Sequence, residues 1–171
     1  MNAAYNQFGL MLAYLLPGFI GLAAIAPLSP PIASWLQAGE QVQAGLGPPV
    51  YAVLAATTVG LIASCFRWLV VDHIHLWTGL KPPAWNDRRL GRHLAAFNYL
   101  VESHYRYYQF VANTLVVVIG TYALHRRLAM FPFLGSGTDV GITFLCLALF
   151  AASRDALSKY YKRTEQLLGH G

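Results

Sequence analysis

Apolar residues fall in four long blocks separated by shorter polar stretches. Phe8 to Leu28 is a 21-residue apolar run, enough at 1.5 Å per residue to cross about 30 Å of hydrocarbon. A second block, about 50–71, contains Arg67 near its end, where a long side chain is expected to snorkel. The third, about 107–124, lies between Arg106 and His125. The fourth, about 138–157, has 14 residues between Asp139 and Arg154 and must borrow Ala156 and Leu157 or thin the bilayer. The pattern predicts an all-α integral membrane protein, a four-transmembrane-helix bundle formed by residues 1–171 as one membrane domain. Ala24-Ile25-Ala26 imitates a signal cleavage site, but no basic segment precedes the first run and that run exceeds the usual h-region. It is read as a retained span.

Between the second and third blocks the period changes. Thr78-Gly79 and Pro82-Pro83 read as a helix stop and turn, and Asn86-Asp87 as the start of a new helix. Leu90, Leu94, Phe97, Val101, His104 and Tyr108 then recur at alternating spacings of four and three, the apolar line of an amphipathic helix. This cytoplasmic hairpin, 72–106, has a short arm and a long one. Either the long arm bends near Tyr105 to Tyr108 and lies on the membrane, or it stays straight and covers its apolar line with the tail or a second protomer. The tail, 158–171, continues the fourth span as a helical extension, and Asp155 with Lys159 is spaced for an ion pair.

Composition sharpens this reading. The chain is 56% hydrophobic and 11% charged, with Lys+Arg 12 against Asp+Glu 7 and a net charge of +5; soluble domains carry about 25% charged residues. Ten of the twelve cations sit on one side, eight on the hairpin and tail and Arg67 and Arg154 near the adjoining ends of the second and fourth blocks, and only Arg126 and Arg127 on the opposite side. The positive-inside rule predicts a bacterial-type inner-membrane protein with both termini cytoplasmic. Cys65 and Cys146 lie in apolar runs, which leaves no disulfide framework and no Cys-based zinc site.

Within the spans, Ala52, Ala56, Gly60 and Ser64 recur every fourth residue and form a small-residue packing face; Gly141, Leu145, Ala148 and Ala152 form a weaker one. Pro17-Gly18 predicts a kink with a freed backbone carbonyl. Together with Thr57 and Asn113 these residues are candidates for a kink or a lumen, and Asn113 alternatively for an interhelical hydrogen bond. No ionisable side chain lies mid-span, which disfavours proton-driven transport.

The candidate chemistry is on the cytoplasmic side. Arg88, Arg89, Arg92, Tyr99 and Arg106 offer a basic, aromatic binding face suited to anionic lipid headgroups or an acidic protein surface; nucleic acid is disfavoured because headgroups are nearer. Asp72, His73, His75, His93, Glu102 and His104 are the candidate metal ligands, although His73 and His75 would diverge on a helix. Glu102 and Arg106 are spaced as an ion pair. No Gly-rich phosphate loop, HExxH or nucleophile elbow occurs, so no catalytic residue and no cofactor are assigned. The expected function is association, as a membrane subunit or a homo-oligomeric scaffold. An oligomeric pore and a membrane-embedded enzyme built on the His/Asp/Glu cluster are the alternatives.

Overall fold

A computed structural model describes residues 9–37, 47–84, 87–128 and 136–169. Phe8, Glu40, Trp85 and Asn86 lie outside the described residues, as do the side chains of Asp87 and Arg88. Every regular element among the described residues is helical. Four helices are long and apolar enough to cross a membrane. These are α1 (Met11–Leu28), α3 (Gly47–Trp77), α5 (Leu94–Arg127) and α6 (Ser136–Leu168), with short helices α2 (Pro30–Gln37) and α4 (Asp87–Arg92) between them. They run up and down, so residues 9 and 169 share one end of the bundle with the α3–α4 connection. We call this the basic end.

α1 and α3 are joined backbone to backbone. A Cβ on Gly18 would run into the Ala56 carbonyl, and one on Gly60 into the carbonyl of Tyr14. Ala52, Ala56 and Gly60 are buried at this crossing, and the stripe there meets another span of the same chain. Small residues do this because lipid offers no hydrophobic drive, and close van der Waals approach must supply the association.

α5 packs into the groove beside α1, and the contact is polar. Pro17 has no N–H, so the carbonyl four residues earlier, Ala13, loses its helical donor. α1 opens into a π-turn over Met11–Leu15 just before the proline, and the Asn113 side-chain amide donates to the Ala13 carbonyl at 2.8 Å. Ala13 and Asn113 are both 0% exposed. The proline and the asparagine, candidates for a lumen, thus face each other in a sealed helix contact. Thr57 spends its hydroxyl on the Val53 carbonyl of its own helix.

α6 completes the fold differently. Its outer half neighbours α5 alone among the spans, tied there by Tyr122, whose hydroxyl donates to Asp139 at 2.6 Å. Toward the basic end it gains a core in which Val71 of α3, Leu100, Tyr108 and Ala112 of α5, and Ala156, Leu157 and Tyr160 pack together.

Two expectations about the connection resolve here. The amphipathic line is not one helix: after Gly91 the chain breaks at His93 (φ −117°, ψ 21°), and the His93 N–H is shared between the Arg89 and Leu90 carbonyls. Glycine is a poor helix former, and its place one turn from the new start makes it the weak point. Beyond His93 the long arm stays in one continuous helix with α5. It continues into α5 through a π-turn at Val101–Tyr105 and lays Leu100, Val101 and Tyr105 against the α6 tail.

Asn113→Ala is expected to cost about 1–2 kcal/mol, the loss of a buried hydrogen bond with an acceptor left unsatisfied. Adding Pro17→Ala, which returns an N–H to the Ala13 carbonyl, should recover part of that loss in reversible unfolding measured in bicelles. Equal loss in the single and double variants would disprove the coupling.

Candidate functional site

The polar side chains of the bundle concentrate at the basic end in two separate seams. The first lies where α3, α5 and α6 meet. Arg67 and Asp72 are five residues apart and would point roughly 140° from each other on a regular α-helix. α3 instead makes a π-turn over Arg67–Val71, with the Asp72 N–H bonded to the Arg67 carbonyl, and the wider turn brings both side chains to one face. Arg67 Nη1 donates to both Asp72 carboxylate oxygens at 3.0 Å. The guanidinium lies 5.3 Å from the centre of the Tyr108 ring, whose hydroxyl also donates to Asp72. Arg67 is only 5% exposed. The snorkelling expected of it does not occur, because a carboxylate and a tyrosine one turn away satisfy its charge inside the protein.

His75 continues this seam. It is fully buried, stacks on Phe150 with 4.9 Å between ring centres, and its Nε2 lies 3.1 Å from Ser153 Oγ. The Ser153 hydroxyl is already donated to the Phe150 carbonyl at 2.8 Å. Nε2 therefore carries the proton and donates to Ser153, which leaves Nδ1 a buried acceptor without a partner. A histidine that donates to a serine cannot also take its proton, so this pair is arranged for packing and not for nucleophile activation. Beside it, α3 ends in a Schellman turn: Gly79 adopts φ 92°, with Leu80 N–H on the His75 carbonyl and Gly79 N–H on that of Leu76. Arg154 of α6 donates to the Thr78 hydroxyl and, at 2.9 Å, to the Thr78 carbonyl. A cation at this helix C-terminus complements the carbonyl dipoles.

The second seam runs along α5 against α1. Arg106 pairs with Glu102 at 3.5 Å and donates to Gln109 at 2.9 Å; Gln109 donates to the Tyr14 hydroxyl at 3.1 Å, and Asn113 follows one turn on. The spacings of four, three and four keep this line on one helix face. Glu102 is packed where a Cβ on Gly9 would strike its carboxylate.

The candidate metal ligands are therefore dispersed. Asp72 is held by Arg67 and Tyr108, His75 by Ser153, and Glu102 by Arg106. His73 is exposed, with Nδ1 3.1 Å from the Trp68 carbonyl; His93 marks the helix break, and His104 Nε2 lies 2.7 Å from Arg163. No group of three His, Cys, Asp or Glu is placed to hold an ion among the described residues.

The basic face is likewise divided. Arg92 and Tyr99 are exposed, Arg89 donates to the Gly169 carbonyl at 2.6 Å, and Arg106 is turned inward. Trp68 and Trp77 are exposed around the same end, whereas Tyr108 is buried. Sequence reasoning missed the Arg67–Asp72–Tyr108 cluster because a spacing of five is not a helical one; Tyr108 on the apolar line of α5 was the available signal. Comparison with protein-family models, curated proteins and solved structures gave no match to the chain.

Asp72→Ala strands a buried guanidinium and is expected to cost about 3–5 kcal/mol, whereas the double replacement Arg67→Met/Asp72→Leu should lie much closer to the parent. Thermal unfolding in detergent checks the ranking; equal destabilisation by both would refute the pairing.

Proposed function

We propose that this chain is a small multi-pass protein of a bacterial-type inner membrane, with both termini in the cytoplasm, that works by association as a membrane subunit or homo-oligomeric scaffold. The observation that carries the reading is the open fourth helix. Val140 (67% exposed), Phe144 (73%) and Leu147 (63%) project from the outer half of α6. Around the helix, between Phe144 and the 45%-exposed Leu145, lie Gly141, where an added Cβ would meet nothing, and Ala148. A face of large apolar residues around small ones is the kind that a second helix fills in lipid, and two copies of α6 can meet about a two-fold axis with the same face.

The basic end supplies the cytoplasmic side of the reading. Arg92, Lys81 and Lys162 are exposed there, and Tyr99 and Trp77 stand beside them. Such a surface suits anionic headgroups or an acidic protein partner. Orientation rests on the ten cations of this side against two on the other.

Two measurements test the proposal. Mass photometry in lipid nanodiscs should show two chains or a stable hetero-complex, and Gly141→Leu with Ala148→Leu should lower that population at least several-fold while leaving the thermal midpoint near the parent value. Monomers throughout, with no partner in crosslinked membranes, would refute association. A reporter fused after Gly171 should report the cytoplasm; a periplasmic signal would reverse the orientation.

A further inference from the structure

Beside the Arg67 cluster, a groove of about 420 Å³ lies between α1 and α3, with Tyr14, Leu61, Ser64, Arg67, Trp68 and Leu69 among its walls. The volume is that of an ordinary small-molecule site. Leu61, Trp68 and Leu69 are 51%, 61% and 54% exposed, so the groove opens sideways, where lipid would lie, and not toward the core. Ser64 is 17 residues into α3, roughly 26 Å along its axis from the far end. That places the groove in the part of the span nearest the basic end.

The polar groups of this groove have unspent donors. A hydroxyl inside a membrane helix ordinarily gives its proton to a carbonyl three or four residues back. Thr57, Thr58, Thr114, Thr121, Thr143 and Ser153 all do so. Ser64 does not, and it has no hydrogen-bond partner among the described residues. Tyr14 accepts from Gln109 but donates to no described group. Arg67, nineteen-twentieths buried, has its Nε without a partner. Two hydroxyl protons without an acceptor, beside a buried guanidinium and over an apolar wall, suit a ligand with clustered acceptor oxygens at one end and hydrocarbon at the other.

We propose that this groove binds one phospholipid per chain, its phosphodiester and glycerol-ester oxygens taking the protons of Tyr14 and Ser64 beside Arg67 and one acyl chain running along Leu61. The charge of Arg67 is already balanced by Asp72. The site therefore reads the acceptor oxygens common to phospholipids and not net headgroup charge, which separates it from binding to the exposed cations of the basic end. It is also independent of the association through α6, none of whose residues line the groove.

Native mass spectrometry of the detergent-extracted full chain tests it. The parent should retain one phospholipid per chain, with phosphatidylethanolamine and phosphatidylglycerol taken up within about twofold of each other on re-addition. Ser64→Ala removes a hydroxyl that makes no internal bond, so it should lower occupancy several-fold while the thermal midpoint of the lipid-free protein stays at the parent value. Ser64→Trp, which fills the groove, should abolish retention, and Thr57→Val, whose hydroxyl is already spent, should retain lipid as the parent does. Inorganic phosphate alone should neither displace the lipid nor raise the midpoint of lipid-free protein. Lipid-free parent protein with intact helicity, parental occupancy in Ser64→Trp, strict dependence on phosphatidylglycerol, or stabilisation by phosphate alone would each overturn the proposal.

Discussion

The bundle depends on how a proline in a membrane helix is satisfied. In water the carbonyl exposed by Pro17 would find a solvent partner; buried in a helix contact it stays unsatisfied unless the protein supplies a donor. Asn113 is that donor, and its position decides much else. An asparagine can reach the Ala13 carbonyl only if α1 and α5 lie in contact at this level. The close approach of α1 to α3 through Gly18 and Gly60 then fixes the third helix. One hydrogen bond and two glycines thus set a three-helix frame before large side chains enter the account.

Three π-turns, at Met11–Leu15, Arg67–Val71 and Val101–Tyr105, fall at the same end of that frame. Each adds a residue to a turn and shifts the phase of the helix beyond it. In α3 the shift pairs Arg67 with Asp72. In α1 it precedes the proline. In α5 it lies between the arm that packs on the α6 tail and the span that packs on α1, so that both faces can be buried by one continuous helix. Such insertions are retained where a site needs side chains that regular periodicity would separate.

This explains which parts were legible beforehand. The four blocks, the Ala52, Ala56, Gly60 stripe, the stop at Thr78-Gly79 and the Glu102–Arg106 pair all follow from apolar length or from spacings of three and four. The short helix Pro30–Gln37 carried no such pattern. The Arg67–Asp72–Tyr108 cluster was invisible for a definite reason: its members share a face only after a π-turn, and nothing in local composition announces one. The six His, Asp and Glu candidates are dispersed because nearer partners take them: Arg67 holds Asp72 and Arg106 holds Glu102 within their own helices, whereas His75 and His104 meet Ser153 and Arg163 of α6. Pro17 and Asn113 were both singled out as residues, but their pairing over 96 positions of sequence required the fold.

α6 is the exception among the long helices, with neither proline nor π- or 3₁₀-turn over its 33 residues. It is held by Asp139 at one end, by Arg154 on the α3 terminus, and by Arg89 on the Gly169 carbonyl at the other. A rod without a joint behaves as a lever about its middle support. With arms of roughly 27 Å and 21 Å on either side of Arg154, a tilt of about 5° moves the outer tip by about 2 Å and the tail by nearly as much in the opposite sense. A sideways push at Phe144 would therefore reach the tail of the same helix, at the other end of the bundle, in the opposite sense.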